Sequence, residues 1–261
     1  MTDPGVTEPA GYVDSHCHLY DTRGVPQDDI IEAARSVGVT TMIDVGCDAD
    51  TTARAIATAS QYDGIYATAG LHPHEAKFGI HTILPFVDDP HVIAIGECGL
   101  DYFYDHSPRD TQREVFAQQI QLAHERTLPL VIHTRDAWDD TFDVLAAEGV
   151  PERTIFHCFT GGPTEATRCL DLGAFLSFSG IVTFPSSADV KAAAQMCPLD
   201  RMLAETDSPY LAPVPKRGRT NQPAFVTHVV QHLADLRGLP TDRVRAATAT
   251  NARLAFPALL P

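Results

Sequence analysis

Short apolar runs rich in β-branched residues alternate with longer amphipathic stretches along almost the whole chain. Eight runs have the form of strands: "YVDSHCH", "TTMIDVG", "IYATAGLHP", "HVIAIGE", "LPLVIHT", "TIFHCF", "AFLSFSG" and "RMLAETD". Their Val, Ile, Thr and aromatic content suits a pleated, buried surface. Between them, apolar positions recur at helical spacing. Helices are expected over roughly 27–37, 50–61, 110–127, 136–147, 163–172 and 187–196, with two more after Pro223. In the stretch from 110, "TQRE" has the form of a capping box, with Thr111 three residues before Glu114.

Strands that alternate with helices predict βαβ units and a parallel sheet. Eight such units in 261 residues fit a closed (β/α)8 barrel, a TIM barrel, better than an open sheet. No linker, low-complexity tract or internal repeat interrupts the pattern. Residues 12–261 therefore read as one domain, preceded by a flexible polar tail over 1–11.

Composition narrows the function. No apolar run reaches the ~18 residues of a membrane span, and the first residues lack the basic and apolar regions of a signal peptide. A cytoplasmic protein without a membrane or an obligate protein partner is the expectation. Six cysteines, with no CxxC pair, read as thiols packed mostly in the core. The formal net charge of −15 matters more. A uniformly acidic surface repels nucleic acid, whose tight binding needs many Lys and Arg contacts. Any contact with a polyanion must then be local, at a place where bound cations reverse the sign.

In a barrel of this kind, chemistry gathers where the strands end. The first run ends in His16 and His18, the fourth in Glu97, the fifth in His133, the sixth in His157 and the eighth in Asp207. Alternation along a strand places His16 and His18 on one face and Cys17 on the other. Imidazole and carboxylate together suit Zn²⁺, Mn²⁺ and similar ions. Two such ions activate a water and stabilise the oxygens of a displacement. One histidine at a strand end is ordinarily a hydrogen-bonded core or rim residue. Six ligand types at the same end of five strands point to a shared metal site, with Asp207 and Glu97 the catalytic carboxylates.

Other polar residues rank below these. His72 and His74, in "GLHPH", follow the third strand, and His72 is a candidate contact to substrate or to a metal-bound water. Arg135 shares its face with His133 and is a candidate phosphate contact. So is Arg217, which clusters with Lys216 and Arg219 in a Pro-rich loop. Asp14, Glu205 and Asp101 are placed to orient a ligand imidazole from behind. His228 and His232, four apart on a helix, have no carboxylate partner in the pattern. His81, His91, His106 and His124 read as surface residues.

The motifs "VDSHCHL", "GLHPH", "IGECGLDY", "VIHTRDA", "FHCFTG" and "ETDSPYLAPVPKRGRTNQP" occur here in the order found in TatD-type metal-dependent deoxyribonucleases, which this chain resembles from about residue 12 to 255. The resemblance implies a TIM barrel of the amidohydrolase kind. It implies one divalent cation held by His16, His18, Glu97 and Asp207. Glu97 would bridge to a second, held with His133 and His157. Family members are similar to 3′–5′ exonucleases on DNA, and some are D-aminoacyl-tRNA deacylases. Thr220 and Gln222 depart from the family's usual loop and bear on substrate preference rather than on metal binding.

The expected activity is hydrolysis of DNA phosphodiesters at single-stranded ends by metal-activated water, with Zn, Mn or Mg as the ion. Hydrolysis of an ester or amide, as in a D-aminoacyl-tRNA deacylase, is the alternative. Many binuclear barrels bridge their ions with a carbamylated lysine from the fourth strand. Glu97 takes that place here, and none of Lys77, Lys191 and Lys216 lies at that strand's end. A metal-binding scaffold without turnover has no need of such a bridged, open set.

Overall fold

The computed structural model describes residues 11–259. The N-terminal tail expected over 1–11 lies almost wholly outside them. Eight parallel strands run in chain order: β1 (Tyr12–Cys17), β2 (Val39–Val45), β3 (Ile65–Ala69), β4 (Val92–Asp101), β5 (Leu130–Arg135), β6 (Thr154–Phe156), β7 (Phe175–Phe178) and β8 (Met202–Ala204). The expected TIM barrel is observed. It closes where Cys17 pairs in parallel with Ser208. There the Asp207 N–H donates to the His16 carbonyl at 2.9 Å and the His18 N–H to the Ser208 carbonyl at 2.8 Å.

Eight helices surround the strands: α1 (Gln27–Ser36), α2 (Ala49–Gln61), α3 (Arg109–Arg126), α4 (Trp138–Glu148), α5 (Pro163–Asp171), α6 (Ala188–Met196), α7 (Val226–Arg237) and α8 (Thr241–Ala255). Helix α2 starts at Asp48, whose side chain accepts the Thr51 N–H while Thr51 Oγ1 accepts the Asp48 N–H. The expected capping box at Thr111 is not formed. Pro108, with its ring-fixed φ, starts α3 two residues earlier, so Thr111 lies inside the helix.

Strand alternation sorts the apolar residues into two layers. Met42, Ile95, Ile132 and Leu176 pack outward against the helices. Val13, Ile43, Ile93, Val131, Phe175 and Leu203 pack inside the barrel. Ala249, Ala252 and Ala255 of α8, with Phe256 after it, join this inner layer and plug the floor near the strands' N-terminal ends. The opposite ends are lined by polar residues.

Candidate metal centre

Strand β4 carries Glu97 to the centre of this polar end. Gly96 has φ +136°, and a Cβ there would lie 2.5 Å from the Val131 carbonyl oxygen. Only glycine permits both the conformation and the close approach of β5. The Glu97 N–H then donates to the Gly46 carbonyl at 3.1 Å. The two carboxylate oxygens face different groups. Oε1 lies 2.9 Å from His133 Nδ1 and 2.8 Å from His157 Nε2. Oε2 lies 3.5 Å from His16 Nε2.

The other expected ligands converge on the same point. Asp207 Oδ1 lies 3.3 Å from His18 Nε2 and 3.8 Å from His16 Nε2. Asp207 itself has φ +56°, a left-handed conformation that Asp tolerates better than most side chains. His16 stacks on His157 with 3.8 Å between ring centroids.

Three of the imidazoles are aimed from behind. His18 Nδ1 lies 3.2 Å from the Val45 carbonyl, and the Tyr20 hydroxyl lies 3.0 Å from the same nitrogen. Donation from Nδ1 to the carbonyl leaves Nε2 free toward Asp207. His133 Nε2 is held at 3.1 Å by Asp101 Oδ2, whose other oxygen accepts the Phe103 and Tyr104 N–H groups. His157 Nδ1 lies 3.3 Å from Glu205 Oε1, which also accepts the Cys158 N–H at 2.7 Å. Carboxylates behind ligand imidazoles fix ring orientation and raise donor basicity. Asp14 does something else: it accepts the Thr206 N–H at 2.8 Å and the Thr206 hydroxyl at 2.6 Å. It ties β1 to the end of β8 and touches no imidazole ring.

His72 enters the same cluster with Nε2 3.5 Å from Glu97 Oε1. The His74 N–H donates to His72 Nδ1 at 3.1 Å, so that nitrogen carries a lone pair and Nε2 carries the hydrogen. Burial holds His72 well below the ordinary histidine range, keeping the ring neutral. His72 therefore presents a donor to the cavity rather than a ligand lone pair.

The electrostatics favour positive charge here. Burial acts to raise the Glu97 carboxyl, but His157, His72 and His133 outweigh it and hold Glu97 well below the usual carboxylate range. Burial, and then His157, push His16 down. Burial also opposes the His157 proton, yet Glu97 and Glu205 raise it well above the ordinary range. Burial raises Asp207, while His18, His157 and His16 bring it below the ordinary aspartate range.

Both ring nitrogens of His16 are buried without a hydrogen-bond partner. Such groups are costly unless something satisfies them. Ligand atoms of His16, His18 and Asp207 lie within 4.8 Å of one another, as do those of His16, Glu97 and His157. The residues present therefore fit divalent cations.

These side chains floor a cavity of about 770 Å³ that also meets Tyr20, Cys47, Tyr104, Arg135, Cys158 and Tyr210. Aromatic rings form an arc around it. It runs from His18 through His16, His157, His133 and His72 to His74, with 3.8–5.6 Å between neighbouring centroids.

Arg217 does not join this site. Its guanidinium lies 4.0 Å above the Phe184 ring and donates to the Ala212 carbonyl. The loop that carries it folds back on apolar surface, with Lys216 over Phe225. Four cysteines are buried, but Cys47 and Cys158 line the cavity. Cys47 Sγ lies 3.6 Å from Glu97 Oε2. Burial and Glu97 push its thiol up, so it faces the carboxylate as a neutral donor. The position of Cys47 just past β2, equivalent to that of the ligands past other strands, was the available signal. His228 and His232 join no metal-ligating group among the described residues.

An eight-stranded parallel barrel with imidazoles and carboxylates gathered at its C-terminal face defines a TIM barrel of metal-dependent hydrolase type. The family model described as "TatD related DNase" matches residues 13–257. The metal-dependent hydrolase YabD of Bacillus subtilis, itself uncharacterized, is 39% identical over 252 residues, covering 93% of this chain and 98% of that protein. The 3′-5′ ssDNA/RNA exonuclease TatD of Klebsiella pneumoniae is 35% identical over 240 residues, covering 88% and 91%. The crystal structure of YjjV, a TatD homologue from Escherichia coli, superposes with a TM-score of 0.89 at 28% identity, covering 97% of this chain and all of that one. The chain belongs to the TatD-related DNase family and is a TatD-type metal-dependent hydrolase. Among the described residues no helix is long and apolar enough to cross a membrane.

Proposed function

We propose that the protein hydrolyses phosphodiester bonds at single-stranded nucleic-acid ends, DNA first, releasing nucleotides from the 3′ end. The observation that carries this reading is the division of Glu97. One oxygen faces His133 and His157, and the other faces His16. Glu97 would hold cations from both sides, together with His16, His18 and Asp207 on one and with His133 and His157 on the other. Bound divalent ions of the Zn, Mn or Mg type lower the pKa of a water and neutralise charge on phosphoryl oxygens.

The chain's own residues supply the rest. Asp207 is ionised and accepts the proton of the attacking water. His72 presents its Nε2–H to a phosphoryl oxygen, and Arg135, at the cavity wall, meets a second. Asp101 and Glu205 keep His133 and His157 aimed. The K. pneumoniae relative named as an ssDNA/RNA exonuclease supports the substrate class. Residues 12–261 act as one domain, and six unpaired thiols suit a reducing cytoplasm.

The test is to strip the purified protein of metal, restore Mg²⁺, Mn²⁺ or Zn²⁺ in turn, and measure mononucleotide release from single-stranded DNA. A D-aminoacyl-tRNA hydrolysis assay runs in parallel. Mononucleotide release with at least one ion is expected. Deacylation without any DNA cleavage would transfer the site to carboxyl esters.

A further inference from the structure

The arc of imidazoles is capped at both ends by an exposed tyrosine. At one end the Tyr210 ring stands 6.0 Å from His18, and at the other the Tyr104 ring stands 5.6 Å from His74. Both line the cavity, and they are 47% and 50% exposed, although His106 stacks on the Tyr104 ring with 5.4 Å between centroids. Each carries a guanidinium. Arg135 lies 4.9 Å from the Tyr104 centroid, and Arg23 lies 5.4 Å from that of Tyr210. Arg135 also sits 4.0 Å above Phe103, itself 55% exposed.

A chain with 19 basic and 34 acidic residues has little backbone attraction for a polyanion. Beyond the local phosphate contacts at the metal centre, affinity for a nucleic acid is then drawn from the bases. A planar base stacks on an exposed aromatic face, and a guanidinium beside the ring meets the adjoining phosphate. The two tyrosines lie on loops that follow different strands, β4 and β8, and bracket the floor that holds Glu97 and Asp207.

We propose that Tyr104 and Tyr210 are base-stacking positions that hold the two nucleotides flanking the scissile phosphate. The substrate is then an unpaired strand of any sequence, because bases held in a duplex cannot open onto either ring. This inference rests on the nuclease reading and assigns its binding surface.

The test uses the manganese-loaded protein and a single-stranded oligonucleotide with phosphorothioate linkages. The fluorescent base 2-aminopurine is placed at the 3′-terminal or the penultimate position. Stacking quenches its emission in the wild type. Tyr104→Ala and Tyr210→Ala should each abolish quenching at one of the two positions, and each should raise KM for an ordinary strand about tenfold. Tyr104→Phe and Tyr210→Phe, which keep the ring, should behave as wild type. Manganese affinity by chelator competition should be equal in all five proteins, which verifies an intact metal centre. Quenching and KM unchanged in both alanine variants would overturn the stacking assignment. Quenching without cleavage of an ordinary strand would leave stacking standing and remove the nuclease reading; cleavage without quenching would do the reverse.

Discussion

At the strands' N-terminal ends, Phe256 is fully buried beneath Val13, Ile93, Val131 and Phe175 in an apolar layer. At their C-terminal ends, the barrel holds four ligand-type imidazoles and two carboxylates, with both nitrogens of His16 unpartnered. The same eight strands build both. The floor satisfies every requirement of a core. The mouth violates them, gathering buried charge and a left-handed Asp207. The difference locates stability at one end and chemistry at the other.

The comparison can be broken by exchanging what each end does. The largest effect is expected from Asp207→Asn, which removes the carboxylate proposed as proton acceptor and cation ligand while keeping shape. Turnover on single-stranded DNA should fall by about 10³-fold or more, while the thermal transition stays cooperative. Comparable turnover would refute its role.

Phe256→Ala reverses the pattern. A cavity at the floor should lower unfolding stability by about 3–5 kcal/mol in denaturant titrations, with kcat of the folded fraction unchanged. A loss of kcat as large as that in Asp207→Asn would erase the distinction between the ends.

Glu205→Gln probes the supports. His157 keeps a hydrogen-bonding partner but loses a charge, and metal affinity should fall about 10–100-fold by chelator competition. An unchanged affinity would reduce Glu205 to its hydrogen bond with Cys158.

The last test concerns Asp44, the penultimate residue of β2. Asp44 accepts the Leu19 N–H with one oxygen, and its other oxygen is buried without a hydrogen-bond partner. Burial raises its pKa from 3.8 to about 7. The folded state therefore binds a proton that the unfolded chain has already released, and this group's contribution to stability declines as pH rises from about 4 to 7. Asp44→Asn should flatten that decline in unfolding free energies measured below pH 4 and above pH 7. An identical slope in both proteins would remove Asp44 as its source.

Much of this was legible in the chain. Period-two alternation placed His16 and His18 together and sent Cys17 away, and Cys17 does bond outward to the Ile43 carbonyl. The strand ends named the ligand-type residues because a parallel barrel exposes the same end of every strand. What stayed hidden depends on tertiary contacts. Asp14 shares the face of His16, but Thr206, 192 residues away, claims its carboxylate. Arg217 lies in a cationic cluster, but its loop is drawn onto Phe184. The tyrosines at the mouth carry no periodic signal, since an exposed aromatic in a loop follows no pattern. Cys47 is signalled only by its place just past β2, since its neighbours in sequence do not distinguish a cavity wall from a core.

The seam between β1 and β8 has a consequence for synthesis. Asp14, His16 and His18 are made early, whereas Thr206, Asp207 and Ser208, which pair with them, emerge only after some four-fifths of the chain. An unfinished polypeptide on the ribosome carries the imidazoles of the first strand without the carboxylate of the last. The cell thus meets this hydrolytic centre only in a chain whose barrel has closed.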